Sequence, residues 1–211
     1  MTTLTPIRIL GLLLSLFLIS LFWREPGKKS GPFEVYPPPA RPDLVRHWQV
    51  PDFSLTERSG KTVSLSDLRG KVWVADFFYT SCPGPCPMMT SRLSDIHKAT
   101  LGRGGVVLVS ISTDPSKDTP EVLKQYAEKF GADERWLFLT GDKGAIYKLA
   151  NQGFKLSVTE EGGTEQEPVT HSTKLVLVDK NGTIRGFYEG TSKDDIQQIE
   201  SAISRLEKET R

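Results

Sequence analysis

The sequence predicts an α/β domain: a central sheet flanked by helices, with an extra β-hairpin on its N-terminal side. Three observations carry this. Two continuous apolar runs of strand-forming residues, "KVWVADFFYT" and "GVVLVSIST", read as strands covered on both faces. Segments with helical spacing follow each run. The chain then finishes in an alternating hairpin, "STKLVLVDKNGTIRGFYEG", and an amphipathic helix.

Taken in order, the chain opens on Ile9 to Trp23, 15 residues without a charge. That is shorter than the roughly 20 needed to span a bilayer core. The following "REPGKKSGP" lacks the small-x-small pattern of a signal-peptidase site, and no cysteine follows to take a lipid. Residues 1–23 are therefore read as an uncleaved membrane anchor. Arg24, Lys28 and Lys29 outnumber Arg8, so the positive-inside count alone would leave the domain in the cytoplasm. Residues 24–50, with "YPPPARPDL", form a semi-rigid proline-rich tether. Residues 51–211 form the folded domain.

Within that domain, "DFSLTERSGKTVSLSDLRGK" predicts a hairpin with strands near 52–56 and 61–65, turning over Ser59-Gly60. The strand "KVWVADFFYT" leads to a helix through "PMMTSRLSDIHKATL", whose apolar stripe is read as Met88, Leu93, Ile96 and Leu101. After the strand "GVVLVSIST", "DTPEVLKQYAEKF" is a helix ending at Gly131, with Asp118 as N-cap and Glu121 three residues on. "WLFLT" is a short strand, "DKGAIYKLANQG" a helix stopped by Gly153, and "FKLSV" begins a strand before the polar loop "TEEGGTEQEPVT". Asn181-Gly182 turns the final hairpin. This order describes a thioredoxin-like domain with added N-terminal strands.

Composition narrows the function. With 37% apolar and 25% charged residues the chain has the make-up of a globular protein, and its net charge of +1 provides no basic surface for nucleic acid. Its only cysteines, Cys82 and Cys86, stand in "TSCPGPCP" directly after a buried strand. At i and i+4 they share one face of a first helical turn, where unpaired N–H groups favour anions and lower thiolate pKa values. Pro83, Pro85 and Pro87 stiffen the loop. A bridge across so small a loop would stabilise the fold little. The pair suits thiol exchange or a soft metal. Two thiolates with one imidazole make a three-coordinate set suited to Cu(I), and the histidines are His47, His97 and His171. His97, three turns down the helix, is read as a solvated residue, and His47 as part of the tether. His171 precedes the final hairpin, beside the expected start of the cysteine helix. Asp114 and Asp118 are read as structural. Asp76 is an acid inside an apolar strand; burial there would raise its pKa and make it a base near neutrality.

"TSCPGPCP", "SISTDPSKDTPEVLKQYAEKFG" and "VTHSTKLVLVDKNG" together resemble the SCO/SenC family of membrane-anchored, thioredoxin-like copper chaperones, over residues 50–207. The resemblance implies that Cys82, Cys86 and His171 bind copper, as Cu(I) or Cu(II). It implies delivery of that copper to the dinuclear copper-A centre of cytochrome c oxidase, with the copper-A-bearing subunit or another copper chaperone as partner. A metallochaperone rather than an enzyme follows. The alternative is a thiol–disulfide oxidoreductase that reduces the cysteines of the target, with Cys82 and Cys86 as the redox pair and Asp76 assisting, as a buried aspartate does in thioredoxins. Serine at 172, where such reductases carry a cis-proline, speaks for copper. Family members hold the domain outside the cytoplasmic membrane or in the mitochondrial intermembrane space, opposite to the Lys/Arg count. This chain departs from the family in having Pro83-Gly84-Pro85 where an acid is common between the cysteines, and Thr170 where aspartate often precedes the histidine. Both changes remove negative charge, disfavouring Cu(II) more than Cu(I).

Overall fold

The computed structural model describes residues 44–159 and 170–209. The expected anchor, most of the tether and the polar loop at 160–169 lie outside the described residues. Among those described, no helix is long and apolar enough to cross a membrane.

The elements run β1 (Ser54–Glu57), β2 (Thr62–Ser64), α1 (Leu65–Leu68), β3 (Val72–Phe78), α2 (Cys86–Ala99), β4 (Val106–Ser112), α3 (Pro120–Lys129), β5 (Trp136–Thr140) and α4 (Lys143–Lys148). A π-helical stretch (Leu149–Phe154) extends α4 and is followed by β6 (Val158–Thr159), β7 (Thr170–His171), β8 (Lys174–Val178), β9 (Ile184–Glu189) and α5 (Lys193–Lys208). Seven strands form one sheet in the order β2-β1-β5-β4-β3-β8-β9, while β6 and β7 pair separately. β3, β4 and β5 are parallel; the other pairings are antiparallel. This is the thioredoxin-like α/β architecture expected from the sequence, with the N-terminal hairpin added on the β5 edge through β1.

Every residue of β3 and β4 is buried. That explains their largely apolar runs, because neither face of a central strand meets water. The first of the helical stripes differs from expectation by one position. Met88 and Leu101 are exposed, and the buried face of α2 is Cys86, Met89, Leu93 and Ile96. The stripe begins at the cysteine itself and then follows the i+3, i+4 spacing.

Four local signals resolve differently in the fold. Thr119, not Asp118, caps α3: its hydroxyl accepts the Val122 N–H at 3.4 Å. Gly131, in the left-handed region at φ 70, follows the end of that helix as expected. Gly153 does not stop a helix but lies inside the π-helical stretch, which ends at Lys155 (φ 56). Its lack of a side chain answers a packing need, since a Cβ there would lie 2.9 Å from Pro51, and its carbonyl accepts Trp48 Nε1–H at 2.6 Å. Of "FKLSV", only Val158 begins a strand. The final hairpin turns over three residues, not two. Gly182 N–H donates to the Asp179 carbonyl at 2.9 Å, with Gly182 in the left-handed region at φ 78.

Residues 47–50, at the end of the stretch read as tether, run beside β9. His47 N–H bonds to the Ile184 carbonyl and Val50 N–H to that of Gly182, each at 2.9 Å.

Candidate functional site

Both cysteines lie where β3 leaves the sheet, at the C-terminal edge of its parallel strands, the usual place for sites in α/β folds. After Phe78 the chain makes a tight turn in which Cys82 N–H donates to the Tyr79 carbonyl at 3.3 Å. Pro85 then occupies the N-cap and Cys86 the first position of α2. Among the described residues neither forms a disulfide, and both are buried. Cys86 is fully enclosed, Cys82 retains 7% of its surface, and their side chains are in hydrogen-bond contact. Thr90, one turn along, donates its hydroxyl to the Cys86 carbonyl at 2.9 Å and meets Tyr126 Oη at 3.0 Å. That links the first turn of α2 to α3.

The electrostatics correct the sequence expectation of a depressed thiol pKa. Burial pushes the Cys86 thiol up, reinforced by its hydrogen bond with Cys82 and by the nearby charge of Asp76; a backbone hydrogen bond at Tyr79 opposes this. The helix N-terminus does not offset full desolvation. Cys86 is therefore held in its neutral, protonated form.

Asp76 is buried in the middle of β3 with 1% exposure, and neither carboxylate oxygen has a hydrogen-bond partner of normal geometry among the described residues. Burial pushes its pKa up to about 7. Ser110, its partner in the β3–β4 register, opposes the rise in part, although its hydroxyl also accepts Trp136 Nε1–H. A group of this kind changes charge near neutrality, as the sequence suggested.

The remaining residues fall as follows. His97 is not solvated. It is 3% exposed, with Nε2 3.3 Å from Asp133 Oδ1 and its ring 5.6 Å from that of Trp136, and burial lowers its pKa. His47 is exposed and meets the rings of Trp48 and Phe187. Asp114 carries Ser116 and Lys117 in a local turn. Asp118 is wholly buried and accepts from Thr80 and Ser112. Thr80, Thr90 and Tyr126 escaped the sequence reading. Of these, Thr90 was legible as a hydroxyl four residues after Cys86, placed to bond its carbonyl.

His171 belongs to β7, paired with Val158, and its side chain lies outside the described ones. Its backbone neighbourhood adjoins α2 through Gly190. Gly190 N–H donates to the Thr173 carbonyl at 2.9 Å. A Cβ on Gly190 would lie 2.7 Å from that oxygen and 3.2 Å from Met89 Cγ. One glycine thus separates the residue two beyond His171 from the first turn of α2. Among the described residues no three His, Cys, Asp or Glu side chains converge as a metal site; the thiol pair supplies two soft donors.

Comparison with known proteins bears on this arrangement. The sequence profile of the SCO1/SenC family matches residues 45–208. The SCO1 protein homolog of Bacillus subtilis is 35% identical over 156 residues, covering 71% of this chain and 80% of the relative. The solved structure of BsSco, a member of the Sco family of cytochrome c oxidase assembly proteins in which a disulfide switch was identified, superposes with a TM-score of 0.70. It is 31% identical over 80% of this chain and 98% of that one. Arabidopsis thaliana ScoI with copper bound gives a TM-score of 0.63 at 27% identity, over 74% and 98% of the two chains. The match spans the described domain, thiol turn included, and the chain belongs to the SCO1/SenC family.

Proposed function

We propose that this protein binds copper through Cys82, Cys86 and His171 and delivers it to the dinuclear copper-A centre of cytochrome c oxidase during assembly. The observation that carries the reading is the pair of unbridged thiols in contact at the first turn of α2, in a family with a copper-bound solved member. Copper is the cargo. Two soft sulfur donors and an imidazole suit Cu(I), and Pro83-Gly84-Pro85 and Thr170 add no charge that would favour Cu(II). Loading releases the thiol protons. Asp76, within electrostatic reach of Cys86, is a carboxylate able to take one up near neutral pH.

The test is copper titration of the reduced protein. One ion per chain is expected. Cys82→Ser and Cys86→Ser should each abolish binding, and His171→Ala should weaken it severely while leaving the disulfide free to form and break. Copper retained by either cysteine variant would overturn the reading.

One observation favours a second reading, reduction of the cysteines of the target by thiol–disulfide exchange: the two thiols already touch, beside a buried acid. Normal assembly of the copper centre by His171→Ala, despite lost copper binding, would select it. On either reading, residues 1–23 anchor the protein, residues 24–50 tether it, and residues 51–211 act on the extracytoplasmic side, or in the intermembrane space of a mitochondrion. Protease added to intact spheroplasts should digest the domain; protection would reverse this topology.

A further inference from the structure

Cys86 is fixed by its own helix, but Cys82 belongs to a turn, and that turn is held from another part of the sheet. Asp118 lies between β4 and α3 and is fully buried. Its Oδ2 accepts the Thr80 N–H at 3.0 Å and the Ser112 hydroxyl at 2.6 Å, while the Thr80 hydroxyl donates to Oδ1. Thr80 is the second residue of the turn that Cys82 N–H closes on the Tyr79 carbonyl. Ser112 is the last residue of β4, and its hydroxyl also accepts the Asp114 N–H at 3.1 Å. The ends of β3 and β4 are themselves joined by Thr113 N–H to the Phe78 carbonyl at 2.8 Å. One carboxylate therefore connects the rigid end of the sheet to the backbone two residues before Cys82.

We propose that Asp118 is a positioning residue for the thiol pair. It clamps the turn of residues 79–82 to β4 so that Cys82 stays in reach of Cys86. This rests on the reading of the pair as the copper-carrying site and adds the residue that sets its geometry. The clamp acts through hydrogen bonds, not charge. An asparagine keeps all three bonds: its oxygen accepts from Thr80 N–H and Ser112, and its amide donates to the Thr80 hydroxyl. An alanine keeps none and takes the acceptor from three donors, the Thr80 N–H and hydroxyl and the buried Ser112 hydroxyl.

The experiment compares the full-length wild-type protein with Asp118→Ala, Asp118→Asn and Thr80→Val. Three quantities are read: copper affinity by competition with a chelator, the thiol–disulfide equilibrium of the pair against dithiothreitol, and the thermal midpoint. Asp118→Ala should weaken copper binding about tenfold or more, as loss of a residue supporting metal ligands does. It should also shift the equilibrium toward the dithiol, because a looser pair closes less readily. Asp118→Asn should stay close to wild type in both. Thr80→Val, which keeps the backbone bond, should fall between. The proposal is overturned if Asp118→Ala lowers the thermal midpoint and moves neither of the other quantities. It is equally overturned if Asp118→Asn is as impaired as Asp118→Ala, which would make the charge the active feature. Should Asp118→Ala not fold, Thr80→Val decides, and wild-type behaviour in it sinks the clamp. Absence of copper binding by the wild type, with the disulfide equilibrium shifting as described, would reject the copper reading and leave the positioning role standing.

Discussion

Where β3 begins, beside the β8–β9 turn, the domain closes on buried charge that is fully satisfied; toward the end of β3 it buries a carboxyl that is not. At the first end, Arg185 is 3% exposed and Asp179 5%. The guanidinium donates to Asp179 at 3.2 Å, to Glu209 at 2.7 and 3.0 Å, and to the carbonyls of Leu44 and Val45. Asp179 also accepts the N–H groups of Asn181 and Thr183. Toward the other end, Asp76 is buried with neither oxygen hydrogen-bonded among the described residues, beside Cys86, which is in hydrogen-bond contact with Cys82 and has its pKa pushed up by burial. Compensated burial gives structure. Uncompensated burial leaves groups whose protonation can change, and such groups concentrate at functional sites.

The largest effect that would break this contrast is at the satisfied end. Arg185→Met should destabilise the fold by about 3–5 kcal/mol, the usual result of removing one partner from a buried ion pair. Urea denaturation would measure it, and copper binding by the folded fraction should be unchanged. A loss of copper affinity in that variant would show that the two ends are coupled.

The smaller effect lies at the thiol end and depends on pH. The pKa of Asp76 rises from 3.8 to about 7 on folding, so the unfolded chain ionises first. Its contribution is greatest when both states are protonated, below about pH 4. Stability is then lost as pH rises toward 7, by roughly 4 kcal/mol at most, and is flat above that. Asp76→Asn should remove this slope and be relatively more stable at pH 8 than at pH 4 when compared with wild type. Equal slopes in the two proteins would mean that the carboxyl is not held neutral by burial. His97 works in the opposite sense, because its lowered pKa removes stability as pH falls below 6.5. Titrations of stability on a His97→Phe background would separate the two.

Much of the molecule was legible in advance, for reasons that can be traced to particular residues. β3 and β4 were readable because both faces of a central strand are buried, so apolar residues dominate them. The thiol turn was readable because prolines and a buried strand confine it to a helix start. The face of α2 was not: Met88 and Met89 are the same residue type one position apart, and only the sheet beneath decides which one is enclosed.

The order of strands and helices, the left-handed turn glycines at 131 and 182, and the pairing of two thiols at one helix start were determined by the sequence itself. Each rests on local sterics or on periodicity over a few residues. The tertiary structure alone decided the rest. It buried His97 between Asp133 and Trp136, lifted the Cys86 thiol where a helix terminus would have lowered it, and turned Asp118 from an expected cap into the acceptor of Thr80 and Ser112. Desolvation and hydrogen-bond partners depend on which distant segments arrive at the same place. Asp118 meets Thr80 across 38 positions of sequence, a distance over which no local pattern carries information.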